Sequence, residues 1–356
     1  MSEKTLMKGN EAISEAAIRA GCCAYFGYPI TPQNEIPAYM AKHMPGRGRI
    51  FIQAESEIAA IIMVYGAACA GVRAMTSSSS PGISLKQEGL SYAAGADVPL
   101  VLANINRGGP GLGSIAPAQS DYFQSTRGGG HGDYRCVVLA PKSVQECADL
   151  TYLAFDLADK YRMPVIIHAD GMIGQMMEGC VLPPEKKVPK YEWSAGGMAA
   201  SGREAIHITS IELVPELLEA KTKERFARYE KIKEAETRFE DTGCAGADLV
   251  MVAFGTCARV CLGARNLAMK EGIKLGVFRP ITLWPFPHKA LGKYADKPLL
   301  SVEMSEGQLV EDVRLSVYYA ETEGAKKSGV YLLGHSGGDI PTEEEVFAKV
   351  KEVLKK

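Results

Sequence analysis

The first 170 residues alternate short apolar runs with longer amphipathic or alanine-rich stretches. The runs have strand character, and most of them precede a helix-like stretch: CAYFGYP, RIFIQA, VRAMTSSSS, VPLVLANIN, RCVVLA and MPVIIHAD. Such alternation is typical of a parallel sheet with helices on both faces. Residues 9–170 are therefore predicted to form an open α/β unit.

The same alternation of strand-like and helix-like stretches occurs again toward the C-terminus. Residues 247–356 contain four further strand-like runs, ADLVMVAFG, IKLGVFRP, PLLSVEM and GVYLLGH. Between the two units, residues 212–238 favour a helix and are highly charged, which indicates a solvated connection. We predict an α/β protein of two open, mostly parallel-sheet domains, 1–235 and 246–356, with a helical linker over about 190–245.

One predicted helix departs from the usual surface pattern. In QAESEIAAIIMVYGAACAG, residues 53–71, Glu55 and Glu57 precede a long run without a charge. A surface helix normally keeps polar residues on one side, so this helix is expected to be buried and closely packed. Glu57 is then either an acid that favours the helix N-terminus or a carboxylate held in a dry site for chemistry.

Polar or glycine-rich turns follow four of the predicted strands. These turns are GYPITPQNE (27–35), AESE (54–57), TSSSSPG (76–82) and NRGGPGLG (106–113). Ligands of open α/β sheets bind beyond the carboxyl ends of the strands, so the turns are expected to line one pocket. Thr31 before Pro32 also suits a helix N-cap, and the serines also suit capped turns. Arg107 is harder to explain structurally, because an arginine after a buried strand needs an anionic partner.

Composition narrows the function classes. The formal net charge of -2 gives no sign of nucleic-acid or membrane-surface binding. No apolar stretch reaches membrane-spanning length, and the N-terminus is not of the signal-peptide type. The nine cysteines are scattered without a C-x-x-C, so no zinc site or iron–sulfur cluster is expected, and the free thiols fit a reducing cytoplasm. Because no G-x-G-x-x-G or other phosphate loop follows a strand, a nicotinamide dehydrogenase and a nucleotide-binding transferase are unsupported.

Several longer motifs carry a resemblance to a known family. They are GYPITPQNE, QAESEIAA, MTSSSSPGISLKQEG, RGGPGLGS, GGGHGDYR, RPITLWPFP and VEMSEGQLVEDVR. They resemble the alpha-type, pyrimidine-domain subunit of 2-oxoacid:ferredoxin oxidoreductases, and most closely the subgroup acting on 2-oxoisovalerate (3-methyl-2-oxobutanoate). The resemblance spans nearly the whole chain and is weakest over 172–245. It implies a thiamine diphosphate-binding pyrimidine domain followed by a transketolase C-terminal-like domain.

The resemblance implies a reaction. It is the oxidative decarboxylation of a branched-chain 2-oxoacid with coenzyme A, giving acyl-CoA, CO2 and reduced ferredoxin. The alternatives are the same chemistry on 2-oxoglutarate or pyruvate, and a non-catalytic scaffold subunit of such a complex. A 2-oxoglutarate enzyme must pair a second carboxylate, since an unpaired buried charge is costly. The shared carboxylate already occupies Arg107, so a second anchor would have to be Arg127, just beyond the last turn, or a residue of a partner chain.

The family pattern also implies roles for single residues. Glu57 would hydrogen-bond the aminopyrimidine ring of thiamine diphosphate and promote loss of its C2 proton, and a dry cavity favours a carboxyl that holds a proton. Arg107 would bind the substrate carboxylate, Thr31 would hydrogen-bond the substrate, and Glu55 would be a solvated or structural acid. Further cofactor contacts are expected at Pro29 and Ile30. Others are expected at Ser78, Ser79 and Ser80, in a pocket-floor loop that comprises Ser77 to Ser80 and Gly82.

Other parts of such a catalytic machinery are missing. The nearest match to the G-D-G motif that binds Mg²⁺-diphosphate is ADGMIGQM (169–176), without a suitable downstream asparagine. Asp170 is therefore expected to be a loop residue, and no metal is assigned to this chain. The resemblance implies Mg²⁺ on a beta-type subunit, [4Fe-4S] clusters on partner chains, ferredoxin-like and gamma-type subunits, and ferredoxin. His131 and Asp133 are expected in a structural loop, with a role at the site or a subunit interface as the alternative.

Overall fold

The computed structural model of the chain describes residues 4–188, 190–196, 202 and 204–355. The strands are β1 Thr5–Lys8, β2 Ala24–Gly27, β3 Ile50–Gln53, β4 Ala74–Ser78, β5 Leu100–Asn106, β6 Val137–Leu139, β7 Pro164–Asp170, β8 Met177–Cys180, β9 Phe239–Thr242, β10 Leu249–Val252, β11 Leu275–Pro280, β12 Thr282–Trp284, β13 Leu299–Glu303 and β14 Val330–Gly334. The helices are α1 Gly9–Arg19, α2 Glu35–His43, α3 Glu57–Cys69, α4 Ser80–Leu85, α5 Gln87–Gly95, α6 Tyr122–Arg127, α7 Val144–Tyr161, α8 Gly171–Gln175, α9 Pro215–Glu236, α10 Gly255–Lys270, α11 His288–Leu291, α12 Leu309–Thr322 and α13 Glu343–Leu354.

Two large sheets organise the chain. The first has the strand order β12-β6-β7-β5-β4-β2-β3, and the second has the order β14-β13-β10-β11-β9. All neighbouring strands are parallel except β12 beside β6 and β9 beside β11. A separate antiparallel pair joins β1 to β8. The predicted class, an α/β protein with two open and mostly parallel sheets, is confirmed.

The central strands of the first sheet are buried along their whole length. Every residue of β4, β5 and β7 is buried, as expected for parallel strands covered by helices on both faces. The parallel register of the sheet places Gly27 of β2 opposite Gln53 of β3. It also places Ser78 of β4 opposite Asn104 of β5, and Asn106 of β5 opposite Asp170 of β7. The four polar turns therefore follow strand ends at one edge of the sheet, as predicted.

Asp170 connects the two halves of the chain. It is the last residue of β7 and is 2% exposed, so the expectation that it lies in a loop is wrong. One carboxylate oxygen caps α8 by accepting a hydrogen bond from the Ile173 amide at 3.0 Å. The other accepts one from the Thr256 amide at 2.9 Å, in the first turn of α10. Two helix N-termini thus share one buried acceptor, which is why a carboxylate is placed here.

The charged segment between the sheets forms the predicted helix, α9. Most of α9 is exposed, and only Arg225, Tyr229, Ile232 and Glu236 are buried. Of the predicted linker over 190–245, residues 197–201 and 203 lie outside the described residues. No helix within the described ranges is long and apolar enough to cross a membrane.

Candidate active site

Glu57 is the first residue of α3 and follows the turn after β3. Ser56 caps this helix, because its Oγ accepts a hydrogen bond from the Ala59 amide at 3.2 Å. The Glu57 residue is only 6% exposed. It therefore lies where the helix dipole favours a negative charge, and it is also largely removed from water. Glu57 thus has both features that the sequence suggested, a position at a helix N-terminus and a largely dry environment.

The helix behind Glu57 is not buried on all sides. Its inner face consists of Ala60, Ile61, Val64 and Ala68, which pack into the core. Ile58 and Ile62, on the outer face, are 53% and 43% exposed. The expectation of a helix buried all round is therefore wrong for the chain by itself, because the inner side alone packs against β2, β4 and α5. Two large apolar side chains in the first two turns of α3 remain in contact with solvent.

The turn after β4 brings hydroxyl groups to Glu57. A Cβ on Gly82 would lie 2.1 Å from Ser78 Oγ and 2.5 Å from Glu57 Oε1, so no larger residue fits at this position without a shift. Ser78 and Ser79 are fully buried, and within the described part of the chain neither hydroxyl has a hydrogen-bond partner. Buried polar groups without partners are costly, so these hydroxyls suit a ligand that supplies the missing partners.

Arg107 follows β5 and is 8% exposed. Its Nη1 donates a hydrogen bond to the Thr31 carbonyl oxygen at 3.0 Å, and its Nη2 donates one to the Leu112 carbonyl oxygen at 2.9 Å. In the part of the chain described, its Nε has no partner. Carbonyl groups orient the guanidinium but do not neutralise it, which leaves its charge available to an anionic ligand.

Ser80 links the turn after β4 to the turn after β5. Its Oγ accepts a hydrogen bond from the Arg107 amide at 3.0 Å and donates one to Asp121 Oδ2 at 2.7 Å. Asn104 donates a second hydrogen bond to the same oxygen at 3.0 Å. Burial raises the pKa of Asp121, and these two hydrogen bonds oppose that shift. No local pattern pointed to Asp121, because it lies in an irregular segment.

Thr31 lies in a turn, not at the start of a helix. The helix α2 begins only after Asn34, so the N-cap interpretation of Thr31 is wrong. The Pro32 carbonyl accepts hydrogen bonds from the side chains of Asn10 at 2.9 Å and Gln175 at 2.7 Å. These long-range hydrogen bonds hold the chain in a turn at Pro32, so α2 begins later than the local pattern predicts. Thr31 is exposed, and its Oγ1 accepts a hydrogen bond from Asn34 at 3.3 Å.

Most of the other residues that the sequence suggested for the site are exposed. In the Thr31 turn, Pro29 is exposed and Ile30 is half-buried. Glu55 is exposed in the turn before α3, and His131 and Asp133 are exposed in the loop after α6. Arg127 forms an ion pair at 3.1 Å with Asp312, a buried residue of α12.

Lys86 is a buried residue that sequence reasoning missed. It separates α4 from α5 and is 0% exposed. Its Nζ donates to Thr76 Oγ1 at 3.0 Å and to the Glu57 carbonyl oxygen at 3.3 Å. Burial lowers the pKa of Lys86 to about 7, and the charge of Glu57 opposes this shift. The available signal was its helical spacing from Ile83 and Leu90, which places it on the inner side.

A cavity of about 620 Å³ lies between the turn after β5 and the second sheet. The first sheet contributes Ser80, Asp121 and the loop Gly109–Gly111, and the second sheet contributes turns with Glu306 and Ser336. Among the described lining side chains, the ionisable ones are Asp121 and Glu306, both acidic. Among the described residues, no cluster of three or more His, Cys, Asp or Glu could hold a metal ion.

Comparisons with known proteins group this chain with enzymes of 2-oxoacid metabolism. Residues 15–239 match the family described as "Pyruvate flavodoxin/ferredoxin oxidoreductase, thiamine diP-bdg", and residues 247–346 match "Pyruvate:ferredoxin oxidoreductase core domain II". The chain is 46% identical over 352 residues to the ketoisovalerate oxidoreductase subunit VorB of Methanothermobacter thermautotrophicus, covering 98% of this chain and 97% of that protein. It is 39% identical over 324 residues to the 2-oxoglutarate synthase subunit KorA of Archaeoglobus fulgidus, covering 87% and 91%.

Solved structures give the same grouping. The fold is similar to a 2-oxoglutarate:ferredoxin oxidoreductase from Magnetococcus marinus, solved with 2-oxoglutarate, coenzyme A and succinyl-CoA bound. That likeness has a TM-score of 0.87 at 28% identity and covers 99% of this chain and 66% of that chain. A split-gene transketolase has a TM-score of 0.59 at 14% identity, which shows a likeness of fold alone.

Proposed function

The chain belongs to the pyruvate flavodoxin/ferredoxin oxidoreductase family, and from this premise we propose that it is the catalytic alpha-type subunit of a thiamine diphosphate-dependent enzyme. The enzyme would oxidise a branched-chain 2-oxoacid with coenzyme A as acyl acceptor and ferredoxin as electron acceptor. One observation carries the proposal: buried Glu57, the serine hydroxyls without a partner among the described residues, and the Arg107–Thr31 pair all follow strand ends at one sheet edge. A scaffold that had lost its site would have no need to keep a buried carboxylate, serine hydroxyls and a guanidinium together at one sheet edge.

The residues around Glu57 fit the aminopyrimidine end of thiamine diphosphate. When bound, this cofactor would supply a carbon nucleophile for the 2-oxo group and a positively charged ring as the acceptor of the electron pair left by decarboxylation. The Glu57 carboxylate would hold a proton next to the ring, and Ser78 and Ser79 would complete their hydrogen bonds on it. Because Gly82 has no side chain, Ser78 and Glu57 can approach its backbone closely, and the core behind α3 excludes water.

The substrate would be held by Arg107 and Thr31. A guanidinium can bind the carboxylate that all 2-oxoacids share with two parallel hydrogen bonds, and Nε of Arg107 is free of partners in the described chain. Thr31 would hydrogen-bond the substrate near its reacting carbons through the exposed side of its hydroxyl.

A neutral, branched side chain suits this chain better than a second carboxylate. Arg127, the candidate for a second anchor, is already paired with buried Asp312. The cavity beside Ser80 carries acidic groups, Asp121 and Glu306, which disfavour another carboxylate. The greater identity to the ketoisovalerate relative than to the 2-oxoglutarate relatives supports the same choice.

The test is a substrate comparison with the complete complex. We expect kcat/KM for 2-oxoisovalerate to exceed the values for 2-oxoglutarate and pyruvate, measured by coenzyme A-dependent reduction of ferredoxin. A preference for 2-oxoglutarate would overturn the branched-chain assignment and leave the thiamine chemistry standing. No turnover with any 2-oxoacid, in a complex that binds thiamine diphosphate, would overturn the catalytic role itself.

We also infer that a beta-type chain covers the outer face of α3. Ile58 and Ile62 are exposed in the first two turns of α3, which begins at Glu57, and β3 is the edge strand of its sheet with Ile50 and Ile52 exposed. Exposed apolar surface of this kind marks an interaction site. The partner would complete the cofactor site with Mg²⁺ and the diphosphate contacts. The [4Fe-4S] clusters and further ferredoxin-like and gamma-type subunits would connect it to ferredoxin.

A further inference from the structure

Lys86 is an ammonium group enclosed by protein. Its residue is fully buried, and its two hydrogen bonds go to neutral oxygens, Thr76 Oγ1 and the Glu57 carbonyl oxygen. Within the described residues it forms no ion pair with a carboxylate. A buried charge without a counter-charge is costly, so a structural role alone would favour an apolar residue here.

The charge of Lys86 is expected to change with pH near neutrality. Burial lowers its pKa to about 7, and the nearby negative charge of Glu57 works in the opposite direction. An ordinary lysine is fully charged at neutral pH, whereas burial brings the pKa of Lys86 into that range.

The helices and strands around Lys86 carry few other titratable residues. The strands β4 and β5 and the helix α4 carry none, α3 carries Tyr65 and Cys69 besides Glu57, and β7 carries His168 and Asp170. The helix α5 carries Glu88 and Tyr92, which hydrogen-bond each other at the surface. Glu57 is the one group among these whose charge shifts the pKa of Lys86.

We propose that Lys86 is a positioning residue for Glu57. Its hydrogen bond to the Glu57 carbonyl oxygen fixes the first turn of α3, and it places a buried ammonium at the start of that turn. When the ammonium is neutral, this turn loses a positive charge, so proton transfer by Glu57 is expected to change with the charge of Lys86. This inference rests on the proposed role of Glu57.

The first test uses this chain by itself and follows unfolding against pH. A lysine with a pKa of about 7 when folded and 10.5 when unfolded binds more protons in the unfolded state between these values, so stability rises with pH across that window. Lys86→Met and Lys86→Gln should remove this rise. The matched control, Lys270→Met on the exposed side of α10, should keep it. An identical rise in the Lys86 variants would overturn the charge linkage.

The second test uses the assembled complex and follows exchange of the thiamine C2 proton by NMR. The exchange rate of the wild-type complex should change with pH, with an inflection near pH 7. The two Lys86 variants should lack this inflection, so that their rates differ from the wild-type rate about tenfold at one end of the pH range. Lys86→Gln keeps a donor for the carbonyl oxygen, which separates the charge from the hydrogen bond. If Glu57→Gln loses exchange while both Lys86 variants keep the wild-type pH profile, this inference alone is wrong. If Glu57→Gln exchanges like wild type, the proposed function of Glu57 is wrong.

Discussion

The guanidinium of Arg107 donates a hydrogen bond of 3.0 Å to the main-chain carbonyl oxygen of Thr31, across 76 positions of sequence. This bond joins the turn after β5 to the turn after β2. Because a carbonyl oxygen orients the guanidinium without cancelling its charge, the two residues form one unit that can receive an anion. The predictions below follow from this unit and from the buried carboxylate beside it.

Arg107→Lys should lower kcat/KM for the 2-oxoacid by about ten- to a hundredfold, the scale of a lost charged hydrogen bond. A lysine keeps the charge but cannot form the planar, two-pronged contact with both a carbonyl and a carboxylate. Thiamine diphosphate affinity should barely change. Steady-state kinetics of the complex, with Arg127→Lys as the control that retains its pairing with Asp312, will measure this. Unaltered kinetics in Arg107→Lys would assign Arg107 to structure.

Glu57→Gln should reduce turnover by about a hundredfold or more, the usual scale for an acid–base group, while folding is preserved. The glutamine side chain would keep the shape of the glutamate but could not hold or release the proton. Glu55→Gln is the matched control, since Glu55 is exposed two positions earlier, and it should behave like wild type. Hydrogen–deuterium exchange at thiamine C2 is the direct measurement. Equal rates in the two variants would contradict the assignment.

The isolated chain should bind thiamine diphosphate weakly or not at all. The residues around Glu57 suit the aminopyrimidine, whereas the diphosphate needs a metal and donors that a beta-type chain is proposed to supply. Calorimetric titration with thiamine diphosphate and Mg²⁺ measures this affinity. It is carried out first on the single chain and then after the beta-type chain has been added. Iron–sulfur absorbance and 2-oxoacid oxidation should likewise be missing from the single chain. Tight binding with turnover by this chain alone would disprove the pairing.

Ile62→Glu should weaken assembly with the beta-type chain by about tenfold or more, because a charge would be buried in an apolar interface. Ile62 is 43% exposed on α3. Met269→Glu is the control, since Met269 is 58% exposed on α10, in the second sheet's half of the chain. Sedimentation of mixtures at several concentrations gives the dissociation constants. If Ile62→Glu assembles like the control, the partner binds elsewhere.

Local pattern was sufficient to predict most of the fold. The strands that form the centres of both sheets are apolar runs bounded by glycine, proline or serine, and their parallel arrangement follows from the helices between them. The pattern missed β1, β8, β9 and β12, which are short and pair antiparallel outside the sheet centres. Strands of this kind carry little periodicity, and their partners are distant in sequence.

The sequence by itself determined the α/β class, the four turns at one sheet edge and the identity of the candidate residues Thr31, Glu57 and Arg107. These features depend on periodicity and on motifs of neighbouring residues. The tertiary structure alone decided that Arg107 is held by Thr31, that Lys86 is buried behind Glu57, and that one side of α3 remains exposed. Each of these depends on contacts between residues far apart in the chain. Burial and hydrogen bonding are properties of the packed whole, and no local pattern encodes them.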